Sequence, residues 1–564
     1  TYEDLELRNC VIKDSSGPTD GFALWAEDGE TVLHGCEVKN NSAYDDTSWS
    51  SHSGPLYFAG TRAEVVDCDI HGNSGYFLYG GGISALHCDL TVRNTSIRNN
   101  IGVFGDQRYL DPALDGHGGG GIFFEDTDGS LVIEDSTISG NMVAAGTGGG
   151  VLVSGAAAVT VRDSRITHNH APGSGGLRIG AGDAIGELTL ERSVISGNTC
   201  GSITAFKWGG GNKDYYGAGI WLDNVTSATI DACTISDNMT PEYTGVEEAP
   251  TDPKYLGPDI TGDWGGGSGI YGNVGTLTLR NSTISGNTTY AGLGAVHRAD
   301  TGDYPVYNIA VPTPGGLYME TGDALIQNCT FFANAGGGVI VKSGTTTIES
   351  SIFSGNIQSD VGDAYPVDIV NSGGTLVASN SLVEIATGGH GLTDGTDGNI
   401  VGADPLLAPL ADNGGPTRTH ALLDGSPAID AGSNPAGAAY DQRGTTYYRD
   451  RHDAPDMGAF EIQAIPQMPA IDDQEAAVGT AFTLVAPEAG FDDPDASEPL
   501  TYTAALDDGS DLPGWLSFDP DTRTLSGTPG SSAVGTVAIA ITATDLRGDT
   551  ASQTFNLTVP PGPD

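Results

Sequence analysis

The sequence predicts an all-β chain, in which a long parallel solenoid is followed by a small β-sandwich. An aliphatic strand, a small residue, an isoleucine and an asparagine recur as one phrase, as in LTVRNTSIRNN at 90–100 and LTLRNSTISGN at 277–287. A second phrase, glycine followed by an aliphatic strand, falls between copies of the first, as in GGGVLV at 148–153. Beyond residue 466 the pattern changes to short alternating strands, which are typical of a sandwich.

The first phrase keeps its internal spacing although its copies lie at irregular intervals. Asparagine follows the small residue by five positions in ten copies, and only the first copy breaks the rule, with Ser15. Repeats of a few dozen residues indicate a solenoid, whose coils pair at about 4.8 Å. We therefore expect the asparagines to stack as a structural ladder that satisfies polar groups at a buried corner. The ladder comprises Asn41, Asn73, Asn100, Asn141, Asn169, Asn198, Asn238, Asn287, Asn334 and Asn356.

Five of the seven cysteines occupy the small-residue position of this phrase, which otherwise holds Ser or Thr. Free cysteine packs like a small hydrophobe, and the parallel side-chain directions of neighbouring coils make a disulfide awkward. We therefore interpret these cysteines as buried free thiols. They are Cys10, Cys36, Cys68, Cys233 and Cys329.

The bulk composition excludes some classes of function. The 564 residues include 23 Lys and Arg against 73 Asp and Glu, a net charge of −50. Phosphate contacts need Lys and Arg, so we expect no nucleic-acid partner. No run of 18 apolar residues occurs, so we expect no membrane-spanning helix in this chain.

The two phrases resemble those of right-handed parallel β-helix proteins, in particular the repeats of polymorphic outer-membrane proteins and related bacterial surface proteins. The resemblance covers residues 1–402 and implies a β-helix domain there. It implies an extracellular or cell-surface location, but it is weak for function because the same fold carries lyases, hydrolases, adhesins and tail spikes.

Long segments interrupt the repeat after the asparagine corner, at 42–56, 101–117, 199–216, 239–266 and 288–314. We expect them to leave the same corner of successive coils and to stack into one wall, where binding residues usually lie. Aromatic residues beside carboxylates suit sugar rings or a protein partner. Packing of the aromatics onto the helix flank is the alternative. The candidate ligand-binding residues are Trp208, Tyr215, Tyr216, Tyr243, Tyr255, Trp264, Tyr290 and Tyr304.

Residues 403–465 differ from the repeat and resemble the terminal module, of the choice-of-anchor type, of bacterial surface β-helix proteins. The match lies in ADPLLAPLADNGGPTRTHALLDGSPAIDAG, DQRG and DMGAFE. An open helix end exposes unpaired strand edges and apolar core, so we expect this module to cap the helix. Within it, Arg418, Asp430 and Arg443 are candidates for internal polar contacts.

Residues 466–564 contain PGWLSFDPDTRTLSGTPG and resemble immunoglobulin-like and cadherin-like modules of bacterial surface proteins. In such modules, acidic residues near the domain junction bind calcium. Clustered oxygen ligands suit Ca²⁺, although carboxylates are also ordinary turn residues. The resemblance implies a calcium set of Glu475, Asp493, Asp495 and Asp545.

Two functions remain open at this point. The first is a secreted or cell-surface structural and adhesive protein that contacts other copies, neighbouring surface modules or polysaccharide, with filament or surface-layer assembly as one form. The second is a polysaccharide lyase or glycoside hydrolase with an accessory sandwich. Spacing in sequence cannot select the two carboxylates that a glycosidase needs. We therefore favour the first and assign no catalytic residue.

Overall fold

A computed structural model gives the fold of the chain. It divides into two compact units, one formed by residues 1–437, 441–443 and 456–460 and the other by 438–440, 444–455 and 461–564. Among the described residues, no helix is long and apolar enough to cross a lipid bilayer. The structure describes all residues except 1–3, 18–22, 44–53, 77–79, 104–117, 127, 145, 156–157, 181–184, 202–216, 241–266, 290–314, 361–362, 386, 388, 450–453, 464–465, 492–498, 546–547 and 563–564.

The first unit is a right-handed parallel β-helix, as predicted. A full coil carries four strands, and equivalent strands of successive coils pair in parallel to form four ladders, which we call A to D in chain order. Ladders A and B merge into one sheet where Ile220–Asp231, Ile270–Arg280 and Leu317–Gln327 run through both. Inward residues such as Leu131 and Ile133 are fully buried.

The ladders account for nearly all strands of this unit. The other strands of ladder A are Leu24–Glu27, Leu56–Ala59, Ile83–Leu86, Ile122–Glu125, Val151–Ser154, Leu177–Ile179, Val339–Val341 and Ile369–Asn371. Those of ladder B are Leu5–Arg8, Glu30–His34, Arg62–Val66, Asp89–Arg93, Ser130–Glu134, Ala158–Arg162, Ile185–Glu191, Thr345–Glu349 and Thr375–Ser379.

Ladders C and D consist of shorter strands. Ladder C contains Val11–Lys13, Glu37–Lys39, Asp69–His71, Ser96–Arg98, Thr137–Ser139, Arg165–Thr167, Val194–Ser196, Thr234–Ser236, Thr283–Ser285, Thr330–Phe332, Ile352–Ser354, Leu382–Val383 and Ile400–Val401. Ladder D contains Ser16–Gly17, Ser42–Ala43, Ser74–Tyr76, Ile101–Val103, Met142–Val143, His170–Ala171, Thr199–Cys200, Met239–Thr240 and Thr288–Thr289. An antiparallel pair, Ile357–Asp360 and Asp363–Pro366, follows ladder C of a late coil.

The first phrase of the sequence therefore spans two strands and two corners. The small residue lies between ladders B and C, and the asparagine lies between C and D. The residue before each corner often takes the left-handed conformation, as at Asn94 (φ 46°) and Gly140 (φ 63°), and Gly and Asn adopt it most readily. The phrase ISGN thus encodes a short strand and the turn that ends it.

The asparagine corner forms a continuous, buried hydrogen-bond ladder. From Asn41 to Asn334, each Nδ2–H donates to Oδ1 of the asparagine one coil later, at 2.9–3.1 Å. Each also bonds a backbone carbonyl, as Asn198 does with Ile166 at 2.9 Å. The glycine phrase contacts the same ladder, because a Cβ on Gly219 would lie 2.8 Å from Nδ2 of Asn238.

The ladder ends on an aspartate that the sequence analysis did not single out. Asn356 donates its Nδ2–H to Oδ1 of Asp368 at 2.7 Å, and Asp368 Oδ2 accepts the N–H of Ile385 at 2.8 Å. Both side-chain oxygens at this position face an N–H donor, so both must accept a hydrogen bond. A carboxylate has two acceptor oxygens, whereas an amide has only one. Burial nevertheless raises the pKa of the Asp368 carboxyl to about 6.

A segment after the last coil packs along the side of the helix. Residues 403–437, 441–443 and 456–460, which we call the flank segment, lie against ladder C of several earlier coils. The fully buried Gln442 accepts from Thr283 Oγ1 at 2.6 Å and donates to the carbonyl of Cys233 at 3.0 Å. These contacts lie on a flank several coils before the helix end, and the capping role expected for residues 403–465 stays a prediction.

Other polar contacts hold the flank segment on ladder C. His420 Nε2 lies 2.8 Å from Ser285 Oγ and its Nδ1 lies 2.7 Å from the carbonyl oxygen of Ala408. Burial lowers the pKa of His420, which favours a neutral ring that donates from Nδ1 and accepts at Nε2. The buried Arg443 pairs with Asp441 at 2.6 Å within the segment, one of the polar contacts that the sequence suggested.

The second unit contains an antiparallel β-sandwich, as predicted. One sheet orders Gln474–Glu475, Thr550–Val559, Gly535–Thr544 and Thr501–Leu506, and another orders Phe482–Val485, Thr524–Gly527 and Leu516–Asp519. A short pair joins Pro466–Gln467 to Gly490–Phe491. Buried side chains of both main sheets, including Leu525, Ile541 and Phe555, form one core.

Candidate binding face

The outer surface of ladder A carries a row of large side chains in register. The second position of each strand points outward because its neighbours on both sides point into the core, as with Trp221 between the buried Ile220 and Leu222. We call this set the aromatic row. In order along the helix it comprises Trp25, Tyr57, Ser84, Phe123, Leu152, Arg178, Trp221, Tyr271, Tyr318, Ile340 and Val370.

The middle of the aromatic row is a stack of planar groups. The Arg178 guanidinium carbon lies 3.7 Å from the Trp221 ring centre, a cation–π contact. Trp221 meets Tyr271 edge to face at 6.2 Å, and Tyr271 stacks on Tyr318 at 5.7 Å. These side chains are all buried, so this part of the row is held by packing and is not itself open to a ligand.

The row is exposed at its first member. Trp25 is 49% exposed, whereas the next member, Tyr57, is 6% exposed. The two rings meet edge to face, with centres 5.6 Å apart. Burial raises the pKa of the Tyr57 hydroxyl, and the nearby charges of Glu27 and Glu125 raise it further.

A second outward row, two positions along each strand, mixes polar residues with the apolar Ala59 and Leu86. It includes Glu27 and Glu125 and, further along the helix, Asp223. Asp223 Oδ1 accepts from Asn273 at 2.8 Å. Aromatic rings beside carboxylate and amide groups can contact both the flat faces and the hydroxyl groups of a ligand.

The long segments of the sequence connect ladder D to the strands of this face. Residues 104–117, 202–216, 241–266 and 290–314, which we call the corner segments, all follow a ladder D strand and precede a ladder A strand. Residues 172–176 make the same connection in another coil. The corner segments therefore begin two or three residues later than predicted, because the first residues of each predicted segment form a strand of ladder D.

The eight aromatic residues predicted to bind ligand, from Trp208 to Tyr304, lie in corner segments outside the described residues. The aromatic row itself was missed. The sequence signal for the row is the second residue after the glycine in each glycine-led strand, which is aromatic in GIFFE, GIWLD, GIYGN and GLYME. Reading these strands only as core concealed their outward positions.

The predicted calcium residues do not form one site. Glu475 pairs with Thr558, which pairs with Thr536, whereas Asp545 follows Thr544 at the other end of the same strand. Eight residues of strand separate these ends by roughly 27 Å. Glu475 and Asp545 therefore cannot ligate one ion together. Asp493 and Asp495 lie outside the described residues.

Asp545 closes a turn between two strands of the sandwich. It is 6% exposed, and its Oδ1 accepts the N–H groups of Gly548 and Asp549, each at 2.9 Å. This arrangement is ordinary turn chemistry. A calcium ion shared with Asp493 and Asp495 stays a prediction.

One cluster on ladder C has the residue types of a metal site. Glu37, Asp69 and His71 bring their ligand atoms close together. Lys39 bonds Glu37 at 2.8 Å and Arg98 bonds Asp69 at 2.7 Å. The hydrogen bond from Lys39, and then that from His71, lower the pKa of Glu37. The two cations balance both carboxylates, so we interpret the cluster as a surface ion-pair network.

Two carboxyl groups with raised pKa values have structural partners. Burial raises the pKa of Asp231, which accepts from Asn281 at 3.2 Å on ladder B, and that of Asp368, which ends the asparagine ladder. Neither lies on the outer face of ladder A. The described carboxylates of that face, Glu27, Glu125 and Asp223, are hydrogen-bond acceptors available for binding.

All seven cysteines are free thiols, and all but the half-buried Cys10 are buried. Burial raises the pKa of Cys68 to about 11 and that of Cys88 to about 12. A thiol that stays protonated is a poor nucleophile. Their position in the scaffold therefore agrees with the interpretation of the phrase.

Comparison with known proteins supports the two architectures. A family model described as "Right handed beta helix region" matches residues 2–166 and 117–402, and one described as "Putative Ig domain" matches residues 465–560. No curated protein matches the chain.

Solved structures with local similarity include two bacterial proteins. One is described as a putative alpha-galactosidase from Bacteroides fragilis, at 17% identity and a TM-score of 0.14, covering 17% of this chain and 18% of that one. The other is a nucleoside hydrolase-related hypothetical protein from Saccharophagus degradans, associated with carbohydrate metabolism, at 20% identity and a TM-score of 0.15. It covers 18% of this chain and 26% of that chain. The chain thus spans about a quarter or less of either protein, and both similarities are too local to carry an argument about function.

Proposed function

Since the chain belongs to the right-handed β-helix family, we propose that it is a secreted or cell-surface protein with a structural and adhesive role. β-helix and immunoglobulin-like domains are typical of surface and secreted proteins. In this role the β-helix presents the corner segments and the outer face of ladder A to a partner. The sandwich links the helix to neighbouring modules or copies.

One observation carries the proposal: the corner segments leave the same corner of coils whose strands pair in parallel. Residues 202–216, 241–266 and 290–314 each precede the strand that bears Trp221, Tyr271 or Tyr318. Binding residues commonly lie on loops that a rigid scaffold positions. The hydrogen-bond ladders supply that rigidity.

The last coils bear on the form of assembly. Asp368 ends the asparagine ladder, and Asn399 Oδ1 accepts the N–H of Ser381 at 3.1 Å to end the small-residue ladder. Leu392 packs against the apolar core beside these coils. A helix closed in this way supports display of a side face over filament growth through that end.

Binding without turnover tests the adhesive role. The full chain would be incubated with neutral and acidic polysaccharides and with surface proteins, while bound protein and released sugar are both measured. We expect saturable binding and no product. Replacing residues 241–266 with the sequence of the short connection 172–176 should retain the fold and weaken binding. The same replacement at 104–117 tests whether position along the helix matters.

A polysaccharide-active enzyme is the second candidate, because the outer face of ladder A carries the carboxylates Glu27, Glu125 and Asp223 beside aromatic side chains. Turnover of an acidic polysaccharide that is abolished by a single carboxylate substitution, such as Asp223→Asn, would overturn the adhesive role. If the wild type binds a polysaccharide and leaves every polymer intact, the enzymatic role is rejected.

A further inference from the structure

The exposed end of the aromatic row differs from the rest of the row. Trp25 is 49% exposed, whereas Phe123, Trp221 and the two tyrosines beyond it are between 1% and 9% exposed. The rings of Trp25 and Tyr57 meet edge to face, so Tyr57 supports the Trp25 ring from one side. An exposed tryptophan held by a buried neighbour is a flat apolar surface that loses little side-chain freedom on binding.

The surroundings of Trp25 are acidic. Glu27, two residues along the same strand, is exposed and close enough to raise the pKa of Tyr57. Exposed Asp28 follows it, and Asp4 lies beside the next strand, where its Oδ1 accepts the N–H of Glu30. These carboxylates accept hydrogen bonds from hydroxyl groups and repel anions.

We propose that Trp25, supported by Tyr57 and flanked by Glu27, is a binding site for an uncharged pyranose sugar. The ring of Trp25 would stack on the apolar face of the sugar, and the Glu27 carboxylate would accept hydrogen bonds from its hydroxyl groups. The acidic surroundings disfavour uronic acid polymers. This inference rests on the adhesive role and gives its ligand a chemical class.

A matched substitution isolates the contribution of Trp25. Val11 also lies near the start of the helix, in the coil before that of Trp25, and is 57% exposed, but it lies on ladder C. Trp25→Ala and Val11→Ala therefore each remove an exposed apolar side chain from different faces. Glu27→Gln removes the charge and keeps the size of the carboxylate.

The full chain and these variants would be titrated with cello-, manno- and chito-hexaose and with oligogalacturonate, by calorimetry. We expect one neutral hexaose to bind the wild type and Val11→Ala alike, and to bind Trp25→Ala about tenfold more weakly. We expect Glu27→Gln to bind it more weakly than the wild type.

Three results would overturn the site: equal affinity of Trp25→Ala and wild type, preference for oligogalacturonate, or no binding of any neutral hexaose. Each of them leaves the adhesive role to its own test with polymers and surface proteins. Thermal melting of each variant checks that the first coils remain folded.

Discussion

At the scale of single residues, the scaffold is built from polar side chains that point in one direction. Each ladder asparagine accepts on one side and donates on the other, so one residue type suits every coil. Only the last position needs a different group, and Asp368 provides it. The sequence predicts the asparagines from their spacing, but Asp368 lies outside the phrase because the antiparallel pair at 357–366 separates it from Asn356.

The raised pKa of Asp368 makes stability depend on pH. Its folded pKa of about 6 exceeds the ordinary value of 3.8, so the native state holds the proton more tightly than the unfolded state does. Stability should therefore decrease as pH rises from about 4 to 6, by up to about 3 kcal/mol, and then level off. Denaturant unfolding of the wild type and Asp368→Asn would measure this. An unchanged slope in the variant would assign the effect to other groups.

Interrupting the asparagine ladder should be costly. Asn198→Leu removes the acceptor of two bonds from Asn169 and the donor to the carbonyl of Ile166. Buried groups left unpaired cost about 1–3 kcal/mol each, so we expect a loss of about 3 kcal/mol or more in unfolding free energy. Thr160→Val, on the outer face of ladder B where Val132 is its neighbour, should change stability by under about 0.5 kcal/mol. Similar losses for both variants would contradict a special role of the ladder.

At the scale of elements, length decides what the sequence reveals. Ladders A and B follow from alternation and from the glycine and asparagine phrases, whereas the two- and three-residue strands of ladders C and D are too short to show a period. Residues 403–465 were predicted as a module at the helix end, but the contacts of the flank segment with ladder C were not predicted. The signal for its place lies in ladder C, whose outward residues change from charged, as at Arg98, to uncharged, as at Thr234 and Thr283.

Gln442 should determine whether the flank segment stays docked. Its amide bonds the Thr283 hydroxyl and the carbonyl of Cys233. Gln442→Ala removes the acceptor of the buried Thr283 hydroxyl and one of the two hydrogen bonds of the Cys233 carbonyl, which still accepts the N–H of Thr283. We expect a loss of about 2–3 kcal/mol and faster proteolysis within residues 403–437 under native conditions. Leu423→Ala, in the same segment but 49% exposed, serves as the control. Equal proteolysis of variant and wild type would show that other contacts hold the segment.

At the scale of the whole molecule, fold and function separate. The sequence predicts both domains because their strands, corners and cores are written in local periodicity. The partner surface is harder to predict, since outward residues such as Trp25 gain meaning only when coils stack and bring distant segments side by side. The predicted calcium set shows the opposite case. The resemblance grouped Glu475 with Asp545, whereas the register of the sandwich places them at opposite ends of a strand.

If calcium binds the sandwich through Asp493, Asp495 and Asp545, a substitution at Glu475 should leave the calcium affinity unchanged. We expect Asp545→Asn and Asp495→Asn each to weaken calcium binding by the full chain at least about tenfold, because both remove a charged oxygen ligand. Glu475→Gln, roughly 27 Å away along the strand, should bind as the wild type does. Isothermal titration with Ca²⁺ measures this, and absence of any heat signal would remove calcium from the proposal.

The flank segment also sets an order of events during folding. Bonds between successive coils join residues 22 to 49 positions apart along the asparagine ladder, whereas Gln442 bonds residues 208 and 209 positions away. A growing chain can therefore add coils one at a time, while ladder C near Thr234 and Thr283 waits for residues that are synthesised much later. Until they arrive, those coils carry uncovered Thr and Ser hydroxyls, which water can satisfy, in place of bare apolar surface. The uncharged polar composition of this stretch thus suits the nascent chain as well as the finished protein.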